Sequence, residues 1–233
     1  MNQEQKHSEW NTILLGEALL FGLLGRIVYD QPDKVWLETL IKDDVFTEVP
    51  FGGKQTETIL GLKRLQKWSQ ENRVGLSDQS FDDLRVDYTR LFVGVGKVLA
   101  PPWESVFFNE ERMVFQEQTL QVRNWYRRFG LEPENLHKEP DDHIGLEMSF
   151  VSHLSELGME ALENHDEEKF KLIIDAKCQF LSEHLLKWGP SWCALIKKLA
   201  KTDFYQGLGY LTLGALNAIA DQYDMQVPKE VVR

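Results

Sequence analysis

The stretch Glu139-Pro-Asp-Asp-His-Ile-Gly-Leu-Glu147 sets four carboxylates and one imidazole around a proline, just ahead of a long apolar-periodic segment. Carboxylates at this density can cap a helix, ligate a metal or receive guanidinium groups. For capping, Pro140 fits a first helical turn, where a missing N–H is harmless, and Asp141 and Asp142 then lie near the positive end of the helix dipole. Their oxygens can also accept bonds from the unpaired N–H groups there. For a metal, His143 and Glu147 stand at i and i+4 on one helix face, with Asp142 beside them. Two-metal carboxylate sites in bundles need Glu-x-x-His pairs from two helices. Here such pairs, Glu4 to His7 and Glu134 to His137, fall in polar segments. A helical metal-dependent hydrolase using Asp142, His143 and Glu147 is therefore the second reading, and elemental analysis of the purified protein decides it.

Other constellations fall away. Gly94-Val-Gly96-Lys97 resembles a fragment of a phosphate loop, but Leu91 stands where the first glycine belongs and Val98 where the hydroxyl belongs. A dinucleotide fingerprint fails because Leu99 takes the third glycine position and no parallel sheet is expected. Ser105 follows Glu104 and can be imagined with His143, yet no Gly-x-Ser-x-Gly elbow exposes it. His184, with Trp188 four residues on, reads as a packed histidine matched to a helix C-terminus. Trp103, Phe107, Trp125 and Tyr126 read by default as core.

The elements that must position these residues are helical. Ile13, Leu14, Ala18, Phe21, Leu24 and Val28 recur at helical intervals, as do Ile59, Leu62, Leu65 and Trp68. Ser77 is an acceptable N-cap for a segment with Phe81, Leu84, Tyr88, Leu91 and Phe92 on one face. Gly94 to Asn109 carries Pro101-Pro102 and reads as a loop, although Trp103, Val106, Phe107 and Phe108 would be costly to leave in water. Such a loop folds on the core or lines a groove. Met113 to Phe129 reads as a helix stopped by Gly130. Leu131 to Lys138 reads as a polar connector, and a helix entered at Pro140 runs to about Asn164. A further helix opens at His165-Asp166, Gly189-Pro190 separates it from Ser191 to Ala200, and Asp203 caps the last helix, Phe204 to Tyr223. Without period-two alternation, the expectation is an all-α fold of about nine helices, residues 1–233 packed as a single compact domain.

At 233 residues with a formal net charge of −11, the chain can bury a sizeable core and is a poor match to nucleic acid. Cys178 and Cys193 are too far apart for a Cys-x-x-Cys site and read as buried thiols of a reducing compartment. Met1 to Glu9 lacks the pattern of a secretory signal. The apolar run Ile13 to Val28, broken by Glu17 and Arg26, reads as too short to span a bilayer. A cytoplasmic protein without membrane insertion is expected.

Three motifs stand in one register: Tyr88-Thr-Arg-Leu91-Phe92-Val-Gly94, then Ala100-Pro-Pro-Trp-Glu-Ser-Val106, then Glu139 to Glu147. In order and separation they resemble the TorD/DmsD family of molybdoenzyme maturation chaperones. The segment Phe180 to Pro190, with Phe204-Tyr205 and Leu211-Thr212, is similar to the family's C-terminal part, so the likeness covers about 88–213 and is nearer the DmsD side. The family usually has Gly-Pro after Leu-Phe-x, and here Val95 takes the place of that proline, which bears on the rigidity of the loop.

The resemblance implies a TorD-like, all-helical, non-enzymatic cytoplasmic protein. Such a protein binds the twin-arginine signal peptide of a DMSO/TMAO reductase-like precursor and delays export until the molybdenum cofactor is inserted. It implies no cofactor of the chain's own. Weak GTP binding is known for some members, though no motif here supports it, and the state is a monomer or a domain-swapped dimer. Two guanidinium groups would suit Glu104, Glu139, Asp141, Asp142 and Glu147. An apolar segment would suit a groove of Tyr88, Leu91, Phe92, Trp103 and Phe107. Ser105 and Pro140 belong to the same motifs, and by the family's pattern Asp142 and His143 correspond most closely to peptide contacts.

Overall fold

The computed structural model describes residues 3–94, 97–109, 111, 113–132 and 139–227. Val95, Gly96, Glu134 and His137, with most of the connector ending at Lys138, lie outside them. Among the described residues there are ten α-helices and no strand, which bears out the all-α expectation. They are α1 (Gln3–Tyr29), α2 (Lys34–Lys42), α3 (Thr56–Glu71), α4 (Asp78–Tyr88), α5 (Ser105–Phe108), α6 (Glu117–Arg128), α7 (Ile144–Glu163), α8 (Glu167–Glu183), α9 (Leu185–Leu199) and α10 (Asp203–Gln222). A π-helical turn, Thr89–Val93, prolongs α4.

Contacts group the chain into two units, Met1–Tyr29 with Trp103–Trp188, and Asp30–Pro102 with Gly189–Arg233. In the first, α1 lies along α7, and α7 along α8. Leu14, Phe21, Leu24 and Val28 of α1 are fully buried, as are Met148, Val151 and Leu154 of α7, following the 3.6-residue period of both helices. The axes approach closely because each helix places a glycine at the crossing. A Cβ on Gly25 would meet Gly145 O at 2.7 Å, and one on Gly145 would meet Gly25 O at 2.8 Å. Backbone cannot step aside, so Gly145→Ala should cost about 1–2 kcal/mol in a thermal melt. Gly158→Ala, on the same helix but facing a flexible Leu14 methyl at 3.0 Å, should be near neutral.

One corner of this core is ionic. Lys177 Nζ donates to Glu17 Oε2 at 2.5 Å and to Ser155 Oγ at 3.1 Å, and all three side chains are buried. This pair ties α1, α7 and α8 together. It also corrects the reading of α1, whose length and composition do suffice for a membrane span. More than half of its most apolar 18-residue window is instead buried inside the protein.

In the second unit α3 packs on α10. Phe92 stacks on Trp192 and meets the edge of Tyr205, at ring centroids 5.8 and 5.7 Å apart. Asp87, buried, ends α4 as a fastener: its Oδ2 accepts from Lys201 N, Thr202 N and the Thr202 hydroxyl at 2.8, 2.8 and 2.9 Å.

Several boundaries differ from expectation for identifiable reasons. α6 begins at Glu117 rather than Met113, since Phe115 sits at φ +59°, outside the helical region. Thr202, not Asp203, caps α10, while Asp203 pairs with Arg64 and Lys67 at 2.8 and 2.5 Å. The expected loop of Gly94 to Asn109 contains α5, and the segment before it is prolonged by the π turn. Gly189-Pro190 does not break the chain. The break falls at His184, at φ −128° and ψ −93°, and α9 runs through Pro190.

Candidate functional site

All of the acidic stretch belongs to the first unit. α7 starts at Ile144, four residues later than Pro140 suggests, and its cap is His143, whose Nδ1 accepts from Gly145 N at 3.0 Å. Because Nδ1 is the acceptor, the ring proton resides on Nε2. Tyr29 meets the ring edge-on at a centroid distance of 5.2 Å. Burial pushes the imidazole down to about 3, so it is neutral at physiological pH.

Pro140, Asp141 and Asp142 therefore do not cap the helix. They precede it in a non-helical segment held by other elements: His143 forms an antiparallel bridge with Trp103, and Glu104 N donates to Asp142 O at 2.9 Å. The Asp142 carboxylate is the centre of this join. Oδ2 accepts from Ser105 N and Oδ1 from the Thr119 hydroxyl, both at 2.7 Å. Asp141 takes the Arg123 guanidinium through Nε on one oxygen, and its carbonyl accepts from the Tyr126 hydroxyl at 3.0 Å. Thr119, Arg123 and Tyr126 recur at i, i+4 and i+7, a polar seam down one side of α6.

Two more carboxylates complete the cluster. Glu104 Oε2 lies 2.8 Å from His184 Nδ1, and Glu147 Oε2 accepts from Trp188 Nε1 at 3.2 Å. Glu139, half-buried at the rim, accepts from Trp103 Nε1 at 2.6 Å. Asp141, Asp142 and Glu147 are wholly buried and Glu104 nearly so. Against these four stand only Arg123 and His184 in direct contact among the described residues. The surplus shows in the acidities. Burial, with Glu104 and Asp142 nearby, holds the Glu147 carboxyl well above the usual range. Burial also raises Glu104 against the opposing pull of His184, and raises Glu139. It shows again in Asp141 Oδ1 and Glu147 Oε1, which are buried without a hydrogen-bond partner, as is Ser105 Oγ.

Of the residues singled out in the sequence, Trp103, Glu104, Ser105, Glu139, Pro140, Asp141, Asp142, His143 and Glu147 come together. Tyr88, Leu91 and Phe92 belong to the second unit, where they are buried, at most 6% exposed. Sequence reasoning missed Thr119 and Arg123, and took Tyr126 and His184 only as packing. The interruption of an apolar helix face by Thr119 and Arg123 was the available signal. Among the described residues no group of three or more His, Cys, Asp and Glu is arranged to hold a metal. Beside the cluster Phe108, Met113, Phe115 and Leu120 are 47–56% exposed, and Asn109 ties Ser105 O to both backbone groups of Met113.

Known proteins resemble this chain over most of its length. The family described as "Nitrate reductase delta subunit" matches residues 60–194, more than half of the chain, and spans all three motifs. A probable Tat proofreading chaperone DmsD of Haemophilus influenzae is 26% identical over 92% of this chain and 95% of its own. The Tat proofreading chaperone DmsD of Salmonella paratyphi A is 32% identical over 83% and 84%. This chain belongs to the TorD/DmsD family. The chaperone protein TorD of Aliivibrio fischeri, 23% identical over 73% of this chain and 83% of its own, lies on the family's other side. The chain is accordingly a redox-enzyme maturation chaperone and not an enzyme, and the hydrolase reading of Asp142, His143 and Glu147 is set aside.

Proposed function

We propose that this chaperone binds the twin-arginine signal peptide of a molybdenum-cofactor oxidoreductase precursor of the DMSO/TMAO reductase type, in the cytoplasm, and delays export until the cofactor is in place. The observation that carries this reading is the surplus of buried and rim carboxylates over cations in the first unit, with Asp141 Oδ1 and Glu147 Oε1 left without partners. A ligand with two guanidinium groups supplies the missing charge in planar form, matched to carboxylates. Direct contact falls to the rim, Glu139 and Trp103, and to Asp141 behind it, while Asp142, His143, Glu104 and Ser105 hold the rim in shape. The apolar residues that follow the arginines find Phe108, Met113 and Phe115. The reading does not need Tyr88, Leu91 and Phe92.

Calorimetric titration with a twin-arginine signal peptide, beside the same peptide with both arginines changed to lysine, tests it. Micromolar or tighter binding is expected, weakened at least about tenfold by lysine, which keeps the charge but loses the fork. Equal binding of both peptides would leave the carboxylates a structural role only.

A further inference from the structure

We infer that Arg123 is an internal competitor for the ligand's guanidinium, occupying Asp141 until a client arginine replaces it. This rests on the twin-arginine reading above and adds its regulation.

The contact between Arg123 and Asp141 is an incomplete one. Only Nε of Arg123 reaches Asp141, and only Oδ2 receives it. Asp141 Oδ1 is buried without a partner, so the pair uses one nitrogen and one oxygen. A guanidinium can present two parallel N–H groups to one carboxylate, so the site accepts more than Arg123 gives it. Arg123 is also the outer member of the pair, 12% exposed against 0% for Asp141. Exchanging one guanidinium for another leaves Asp141 paired throughout, which avoids exposing an uncompensated buried charge.

A tethered competitor lowers the apparent affinity by the fraction of molecules in which it is displaced. Removing it should therefore tighten peptide binding although it deletes a native ion pair. A purely structural Arg123 predicts the reverse.

The test uses the full chain with Arg123→Ala and, as a milder variant that keeps an N–H near Asp141, Arg123→Gln. First, about 10 mM guanidinium chloride, far below denaturing levels, should restore much of the melting temperature lost in Arg123→Ala by occupying the vacated socket. The same concentration of sodium chloride should not. Second, both variants should bind the twin-arginine peptide about tenfold more tightly than the native chain, with no gain for the dilysine peptide. Absence of guanidinium rescue overturns the inference, as does equal or weaker peptide binding by a variant with native helicity. Rescue without peptide binding by any of the three proteins would show that the signal-peptide reading has failed, and the gating of a client with it, leaving a guanidinium socket of structural use.

Discussion

Asp142→Ala should lower the melting temperature by about 6–12 °C, the equivalent of roughly 3 kcal/mol in a chain of this size. Its carboxylate accepts one backbone N–H and one hydroxyl from two different segments, Ser105 N and Thr119. Alanine leaves both donors buried and unpaired, which costs about 1–3 kcal/mol for each. Asp142→Asn, which retains one good acceptor, should lose about half as much. Read from the sequence alone, Asp142→Ala with His143→Ala weakens peptide binding at nearly unchanged melting temperature. The geometry reverses the second half of that expectation, because Asp142 fastens α5 and α6 to the start of α7. An unchanged melting temperature in Asp142→Ala would show that these bonds do not exist in solution.

Glu147→Gln should stabilise the protein increasingly as pH rises. The folded carboxyl is raised by burial and by the charges of Glu104 and Asp142, so the native state holds this proton more strongly than the unfolded chain does. Stability from such a group is complete below the unfolded value, near 4.3, and is lost as pH climbs through the folded value, at up to about 1.4 kcal/mol for each pH unit. Glutamine mimics the protonated form and keeps an acceptor for Trp188 Nε1. His143 acts in the opposite sense: its folded value of about 3 means stability present above pH 6.5 and lost on acidification below it. Measuring the difference in melting temperature between Glu147→Gln and the native chain cancels that contribution. The difference should be small at pH 4.5 and widen steadily toward pH 8, and a gap independent of pH would mean that Glu147 is ionised throughout.

What was legible in the chain was whatever repeats locally. The stripes of α1, α3, α7 and α8 announce themselves because each apolar residue has its neighbour three or four positions away. The acidic motif was equally visible as a motif, but not its use. Asp142 looks like a cap because capping is a local event, whereas its partners Ser105 and Thr119 lie 37 and 23 positions away. His184 looks like a helix-end histidine, and it does end α8, yet its ring is spent on Glu104, 80 positions distant. Pro190 misleads for the converse reason. A proline forfeits one intrahelical bond, yet α9 runs from Leu185 to Leu199 through it.

The buried pair of Glu17 and Lys177 has a consequence for synthesis. α1 is made well before its long partner α7, which begins over a hundred residues later, and Lys177 comes later still. At about 5–20 residues per second, α1 waits roughly 5–30 s with its apolar stripe unburied. During that interval it has the length and composition of a bilayer span, and a membrane competes for it with a core that does not yet exist. A charge at the middle of a span opposes insertion by about 3 kcal/mol. Glu17 supplies that charge before Lys177 has been made, so the residue that later locks α1 into the core first opposes entry of the nascent helix into lipid.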